Sequence, residues 1–104
     1  MICPMMDVVF KDDDLDRLEI DPTFDADFPL NIVKAFRKRM QQIRSFKDER
    51  DFYNLRSLRF EKLKGTRRHQ HSIRLNDQWR LILEFEGSGN NKKCIIVEIN
   101  DYHK

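Results

Sequence analysis

The residues best suited to chemistry lie together near the C-terminus, in Asp101-Tyr102-His103-Lys104. A carboxylate two residues from an imidazole can raise its basicity and hold one tautomer. A phenol between them adds a hydrogen-bond donor or a stacking surface. Acid–base chemistry is what such a set offers, if the strand before it aims the side chains together. Other conventional signatures are scarce: there is no Gly-rich phosphate loop, no nucleophile elbow and no Cys/His ligand set. His69 and His71 stand two apart on one strand and could support a metal, but no third ligand accompanies them. A surface or core histidine is the preferred reading of each. Cys3 and Cys94 are too far apart for a metal-binding pattern, and Cys94 reads as a small buried hydrophobe that opens an apolar strand.

The stretch His71-Ser-Ile-Arg-Leu-Asn-Asp-Gln-Trp-Arg-Leu-Ile-Leu-Glu-Phe85 brings a second group of candidates. It alternates polar and apolar residues on both sides of Asn76-Asp77-Gln78, the pattern of a half-buried β-hairpin. A two-residue loop would send the apolar residues of the two strands to opposite faces. A three-residue loop pairs Leu75 with Trp79, Ile73 with Leu81 and His71 with Leu83 on one face, so the apolar face selects that register. Arg74 and Arg80 then become cross-strand neighbours, where like charges are destabilising. They either splay into water or share an anion, and the hairpin alone favours splaying.

The elements that must position these residues follow in order. Met5 to Phe10 reads as a short strand around Val8 and Val9. Asp12-Asp13-Asp14 offers an N-cap for a brief helix through Leu15 and Leu18, which Asp21-Pro22 ends. Residues 21–28 form a loop that tucks in Phe24 and Phe28. A longer helix is expected from Pro29 to Ser45, with Pro29 in its first turn and Asp27 at the positive end of its dipole. Ile32, Val33, Phe36, Met40 and Ile43 make its apolar stripe; Lys34, Arg37, Lys38 and Gln41 make a solvated face. A shorter helix should begin near Asp48 and turn Phe52, Leu55 and Leu58 inward. Arg59 to Gly65 is a loop or edge segment, residues 86–91 a loop, and Cys94 to Asn100 the last strand, with Ile95, Val97 and Ile99 on its core face. Late strands after early helices indicate an α+β domain with an antiparallel sheet.

At 104 residues the chain suits one domain. Its 39% apolar and 37% charged residues suit a heavily solvated surface, and no apolar run approaches the ~18 residues of a membrane span. The N-terminal Met-Ile-Cys-Pro-Met-Met lacks a basic region and a long apolar region, so a cytoplasmic protein is expected. The net charge of +2 conceals a division. Residues 7–27 carry −7, residues 28–80 carry +10 and residues 81–104 carry −1. A basic middle of that size attracts phosphate backbones. The acidic segment is foremost a solubilising face, with screening of the basic surface as an alternative.

Three blocks then carry a resemblance: Leu58-Arg-Phe-Glu-Lys-Leu-Lys-Gly65, His71-Ser-Ile-Arg-Leu-Asn-Asp-Gln-Trp-Arg80 and Val97-Glu-Ile-Asn-Asp-Tyr-His103. In order and spacing the C-terminal half resembles the HigB branch of the RelE-type toxins, the plasmid-maintenance killer proteins of bacterial toxin–antitoxin pairs. The N-terminal half fits in outline, as a strand followed by helices packed on a C-terminal antiparallel sheet.

The resemblance implies a small ribonuclease, working without metal or cofactor, that cuts messenger RNA in the ribosomal decoding site. The ribose 2′-OH attacks the adjacent phosphate, which requires a proton acceptor, stabilisation of the phosphorane and a proton donor for the leaving oxygen. Carried over by motif, Arg80 grips the phosphate, His103 is the acid/base, Asp101 orients it, and Tyr102 stacks on a base or donates to the phosphate. Lys64 matches a lysine near the RNA path. Glu61 stands where relatives carry His or Glu; it could act as a base, or pair with Lys62 or Arg59. Arg67, Arg68, Arg74 and the basic helix face would contact ribosomal RNA through phosphates. The implied partners are mRNA, the ribosome and a HigA-like helix-turn-helix antitoxin. The alternatives are a catalytically idle relative that binds antitoxin or ribosome, and a structural RNA-binding protein.

Overall fold

The apolar stripe of one long helix fixes the architecture. Ile32, Val33, Phe36, Met40 and Ile43 recur every three or four residues and all are buried. They lie on a sheet whose alternating residues Ile73, Leu75, Leu81, Leu83, Cys94 and Ile96 join the same core. A computed structural model describes residues 7–87 and 92–101. In it β1 (Asp7–Phe10) leads to helices α1 (Asp13–Ile20), α2 (Leu30–Ser45) and α3 (Arg50–Asn54), then to strands β2 (Glu61–Lys62), β3 (Gln70–Arg74), β4 (Trp79–Glu86) and β5 (Lys93–Asp101). Short 3-10 turns at Arg56–Leu58 and Gly65–Arg67 flank β2.

The sheet order is β1-β5-β4-β3-β2. β2 to β5 are antiparallel, as expected, but β1 pairs with β5 in parallel, which makes the five-stranded sheet mixed. Among the described residues no helix is long and apolar enough to cross a membrane. Asp12 caps α1, its side chain accepting from the Asp14 backbone, while Leu15 and Leu18 face the core. Pro29 occupies the cap position of α2, just outside the first turn, and no acidic side chain falls in that turn.

Two corrections have clear physical causes. The basic side of α2 is not uniformly solvated. Arg37 turns back to donate to the carbonyls of Leu18, Asp21 and Phe24 at 3.0, 2.9 and 3.1 Å, so it ties the end of α1 to α2. Lys34, Lys38 and Gln41 remain exposed. The core face of β5 is not Ile95, Val97 and Ile99. Ile82 pairs with Glu98 while Leu83 pairs with Ile96, so Val97 is a bulge and the alternation switches there. Cys94 and Ile96 face the helices before it and Ile99 after it, while Ile95 is buried outside that core cluster.

Candidate active site

The hairpin register is the expected one. His71 pairs with Leu83, Ile73 with Leu81 and Arg74 with Arg80, and Leu75 donates its backbone N–H to Trp79 across the three-residue loop. Asn76 closes the loop by accepting from the backbones of Gln78 and Trp79 at 2.9 and 2.8 Å. Arg74 and Arg80 thus project from the sheet face turned away from the helices. They divide their partners. Arg74 forms an ion pair with Asp77 in the loop. Arg80 donates Nε to the Ser72 hydroxyl at 2.8 Å and Nη2 to the Arg59 carbonyl at 2.6 Å.

The carbonyl of Arg59 reaches Arg80 because the chain is left-handed there, with φ 48° and ψ 51°, at the end of the turn Arg56–Leu58. Such a conformation is uncommon without glycine. Ser72 is fully buried and lies opposite Glu61 in the β2–β3 register. That pairing brings the Glu61 carboxylate to 3.6 Å from the Arg80 guanidinium. Neither expected partner of Glu61, Lys62 or Arg59, takes that place. Glu84, further along β4, accepts from Lys11 at 3.1 and 3.3 Å and from Gln70 at 2.8 Å. The Gln70 amide, then Lys11, keep the Glu84 carboxyl below its ordinary range.

On β5, Asn100 is the direct neighbour of Arg80, and Asp101 pairs with Trp79 one step further along. Asp101 therefore ends β5 at the same end of the sheet as Arg80 but, by register, on the opposite face, beside Trp79. Tyr102 and His103 lie outside the described residues. Lys64 and Arg68 are exposed on either side of the turn Gly65–Arg67, where Gly65 takes φ 69°. Arg67 is half-buried and paired: it donates to Gln70 at 2.7 Å and pairs with Glu98 at 2.5 Å. Its charge is matched by Glu98, as that of Arg74 is by Asp77.

The structure thus gathers Arg80, Arg74 and Glu61 on one end of one face, with Asp101 at the same sheet end on the opposite face. Lys64 and Arg68 are exposed near the other end of β3, and Arg67 is paired with Glu98. Sequence reasoning missed Ser72 and the Arg59 carbonyl. Ser72 was accessible in principle, since the chosen register makes it a diagonal same-face neighbour of Arg80. The Arg59 carbonyl was not, because nothing in an Arg-Phe pair announces a left-handed residue. His69 and His71 are not a metal pair. His71 stacks on Phe60 with ring centres 4.9 Å apart, and His69 lies 3.5 Å from Glu84. Among the described residues no group of three or more His, Cys, Asp or Glu could hold a metal ion.

A family model for HigB-like toxins, described as the RelE-like toxin of the type II toxin–antitoxin system HigB, matches residues 8–103. No relative was found among curated protein sequences. Among solved structures, the YoeB/ParE toxin from Agrobacterium tumefaciens is similar with a TM-score of 0.58 at 19% identity, over 95% of this chain and 100% of that one. The YoeB dimer from Staphylococcus aureus gives a TM-score of 0.49 at 17% identity, over 95% of this chain and 98% of that one. The Agrobacterium structure shares the fold, three helices on a five-stranded mixed sheet. The matched family model covers nearly the whole chain, the three sequence blocks included, and the chain belongs to the HigB-like toxins, the RelE-like toxins of type II toxin–antitoxin systems.

Proposed function

We propose that this toxin is an endoribonuclease that cleaves messenger RNA on the ribosome, without metal or cofactor. The observation that carries the reading is the Arg80 guanidinium, which is held by Ser72 and Arg59 and has the Glu61 carboxylate 3.6 Å away. A fixed cation beside a carboxylate is what a phosphodiester and its attacking hydroxyl need. Glu61 takes the proton as the ribose 2′ oxygen bonds to phosphorus. Arg80 stabilises the charge that builds on the phosphate oxygens, and its fork suits two of them. The bond from phosphorus to the 5′ oxygen then breaks, with His103 as proton donor, Asp101 as its orienting carboxylate and Tyr102 as a stacking or donating neighbour. A cyclic phosphate and a free 5′-OH result. Lys64, Arg68 and Arg74 contact the RNA backbone.

As a type II toxin it has an antitoxin partner; we assign that role to a HigA-like helix-turn-helix protein. The reading is tested in a reconstituted translation system. Wild-type toxin should cut ribosome-bound messages to 5′-OH ends, and Arg80→Ala or removal of His103 should leave them intact. Growth arrest that survives both changes, with uncut messages, would instead favour a binding module. That second reading draws on the partial neutralisation of Arg80 by Glu61.

A further inference from the structure

We infer that Arg39, on the far side of the sheet from the candidate site, is a positioning residue for Arg80. The inference rests on the nuclease reading above for its rate consequences, although its geometric content stands apart from that reading. Among the described residues Arg80 takes acceptors from two places of unequal rigidity. Ser72 belongs to β3 and is fixed by the strand ladders on both sides. The Arg59 carbonyl belongs to no ladder: it follows the turn Arg56–Leu58 and precedes a strand of two residues. Something must hold that turn against the sheet if the 2.6 Å bond from Arg80 is to keep its direction.

Arg39 does so. From α2 it donates Nη2 to the Ser57 carbonyl at 3.3 Å and Nε to the Arg74 carbonyl at 2.9 Å, while Nη1 binds the Gln42 amide oxygen at 2.9 Å. Arg74 is the register partner of Arg80, and Ser57 is two residues ahead of Arg59. One guanidinium therefore clamps the turn to the strand end, and both clamped segments contact Arg80. Leu58, fully buried, anchors the turn from within but does not set its rotation. Arg39 is half-buried, and among the described residues no carboxylate pairs with it. Burial, then the nearby Arg74 charge, both work against its protonated form. A surface lysine facing water would avoid that cost. What an arginine supplies is a planar fork able to reach three acceptors at fixed angles, which an ammonium group cannot reproduce.

The test uses Arg39→Lys and Arg39→Gln in the full-length toxin, with two measurements. In a nitrogen-15 correlation spectrum, the Arg80 Nε–H resonance is assigned by its loss in Arg80→Lys. Both Arg39 variants should shift or broaden it while backbone amides of β3 and β4 keep their positions. In single-turnover cleavage on programmed ribosomes, both should slow the chemical step by about 100-fold, as for a roughly 1 Å misplacement, with little change in the concentration for half-saturation. Lysine failing to rescue marks the fork rather than the charge as the active feature. An unchanged Arg80 resonance, full activity in Arg39→Lys, or a loss that appears only in half-saturation would each overturn the inference. If wild-type toxin cuts no RNA, the nuclease reading fails, and the resonance still decides whether Arg39 positions Arg80.

Discussion

Arg80 and Glu61 face each other at 3.6 Å with unequal freedom: the arginine side chain is 13% exposed and the glutamate 63% exposed. The cation is held by Ser72 and Arg59, and the anion projects from a two-residue edge strand. On the proposed mechanism an incoming phosphate would meet a fixed guanidinium and displace the looser partner. Glu61→Gln removes the proton acceptor and the competing charge together. Cleavage should fall by about 100- to 10,000-fold, the usual span for losing a general base. Binding of a non-cleavable 2′-deoxy message should hold or tighten. A variant that binds and cuts like wild type would dismiss Glu61 from the chemistry.

Arg80→Lys separates charge from geometry at the same place. Lysine keeps a positive charge but cannot bind Ser72, the Arg59 carbonyl and two phosphate oxygens together. Single-turnover cleavage should drop by about 100- to 1,000-fold, comparable to the loss of one preorganised donor at a developing anion. Circular dichroism should remain that of the wild type, because the side chain lies outside the helix-packed core. A lysine variant with near-normal cleavage would show that the fork has no part in catalysis.

Local pattern made much of this fold legible. The α2 stripe and the Asp12 cap depend on residues a few positions apart, and both are found as read. The hairpin register depends on one apolar face, and it too is found as read. Failures occur where a distant partner decides. Arg37 is indistinguishable in sequence from its exposed neighbour Lys38, and only the return of α1 supplies the carbonyls that capture it. Val97 continues a clean alternation, and only pairing with β4 reveals the bulge. At the site, Arg80 and Glu61 could be picked out by motif, but not that each is the other's partner, since the β2–β3 register brings Glu61 opposite Ser72. Arg67 could be picked out as a basic residue, but not its pairing, since Glu98 comes from the last strand.

His71 should give the stability curve a pH dependence. Burial, with smaller contributions from Lys62 and Lys92 and an opposing one from Glu49, lowers its pKa from the ordinary 6.5. Among the described residues its buried Nδ1 finds no hydrogen-bond partner. The folded protein therefore resists a proton that the unfolded chain accepts. The stabilising contribution is complete above pH 6.5 and is lost as pH falls through the folded pKa. His71→Phe keeps a ring against Phe60 and has nothing to protonate. Urea midpoints at pH 7.5 and 5.5 should separate more for wild type than for this variant. Equal separations would mean that His71 titrates alike in both states.

The three basic residues around the Gly65 turn should differ in RNA binding despite their closeness in sequence. Lys64 and Arg68 are exposed, whereas Arg67 is committed to Gln70 and Glu98. Each phosphate contact releases counterions, so losing one lowers the slope of log affinity against log salt by about 1. Lys64→Ala and Arg68→Ala should each produce that change with a non-cleavable message on the ribosome. Arg67→Ala should leave the slope nearly unaltered. Its ion pair is 38% and 44% exposed at the two partners, so its stability cost should be about 0–1 kcal/mol. It should also unbind Gln70 from one side, which loosens the hold on Glu84 and shrinks the part of the acid-induced loss of stability that Glu84 contributes. If Arg67→Ala instead reduces the salt slope as much as Arg68→Ala, then Arg67 leaves Glu98 for phosphate when RNA arrives, and that pair describes only the unbound toxin.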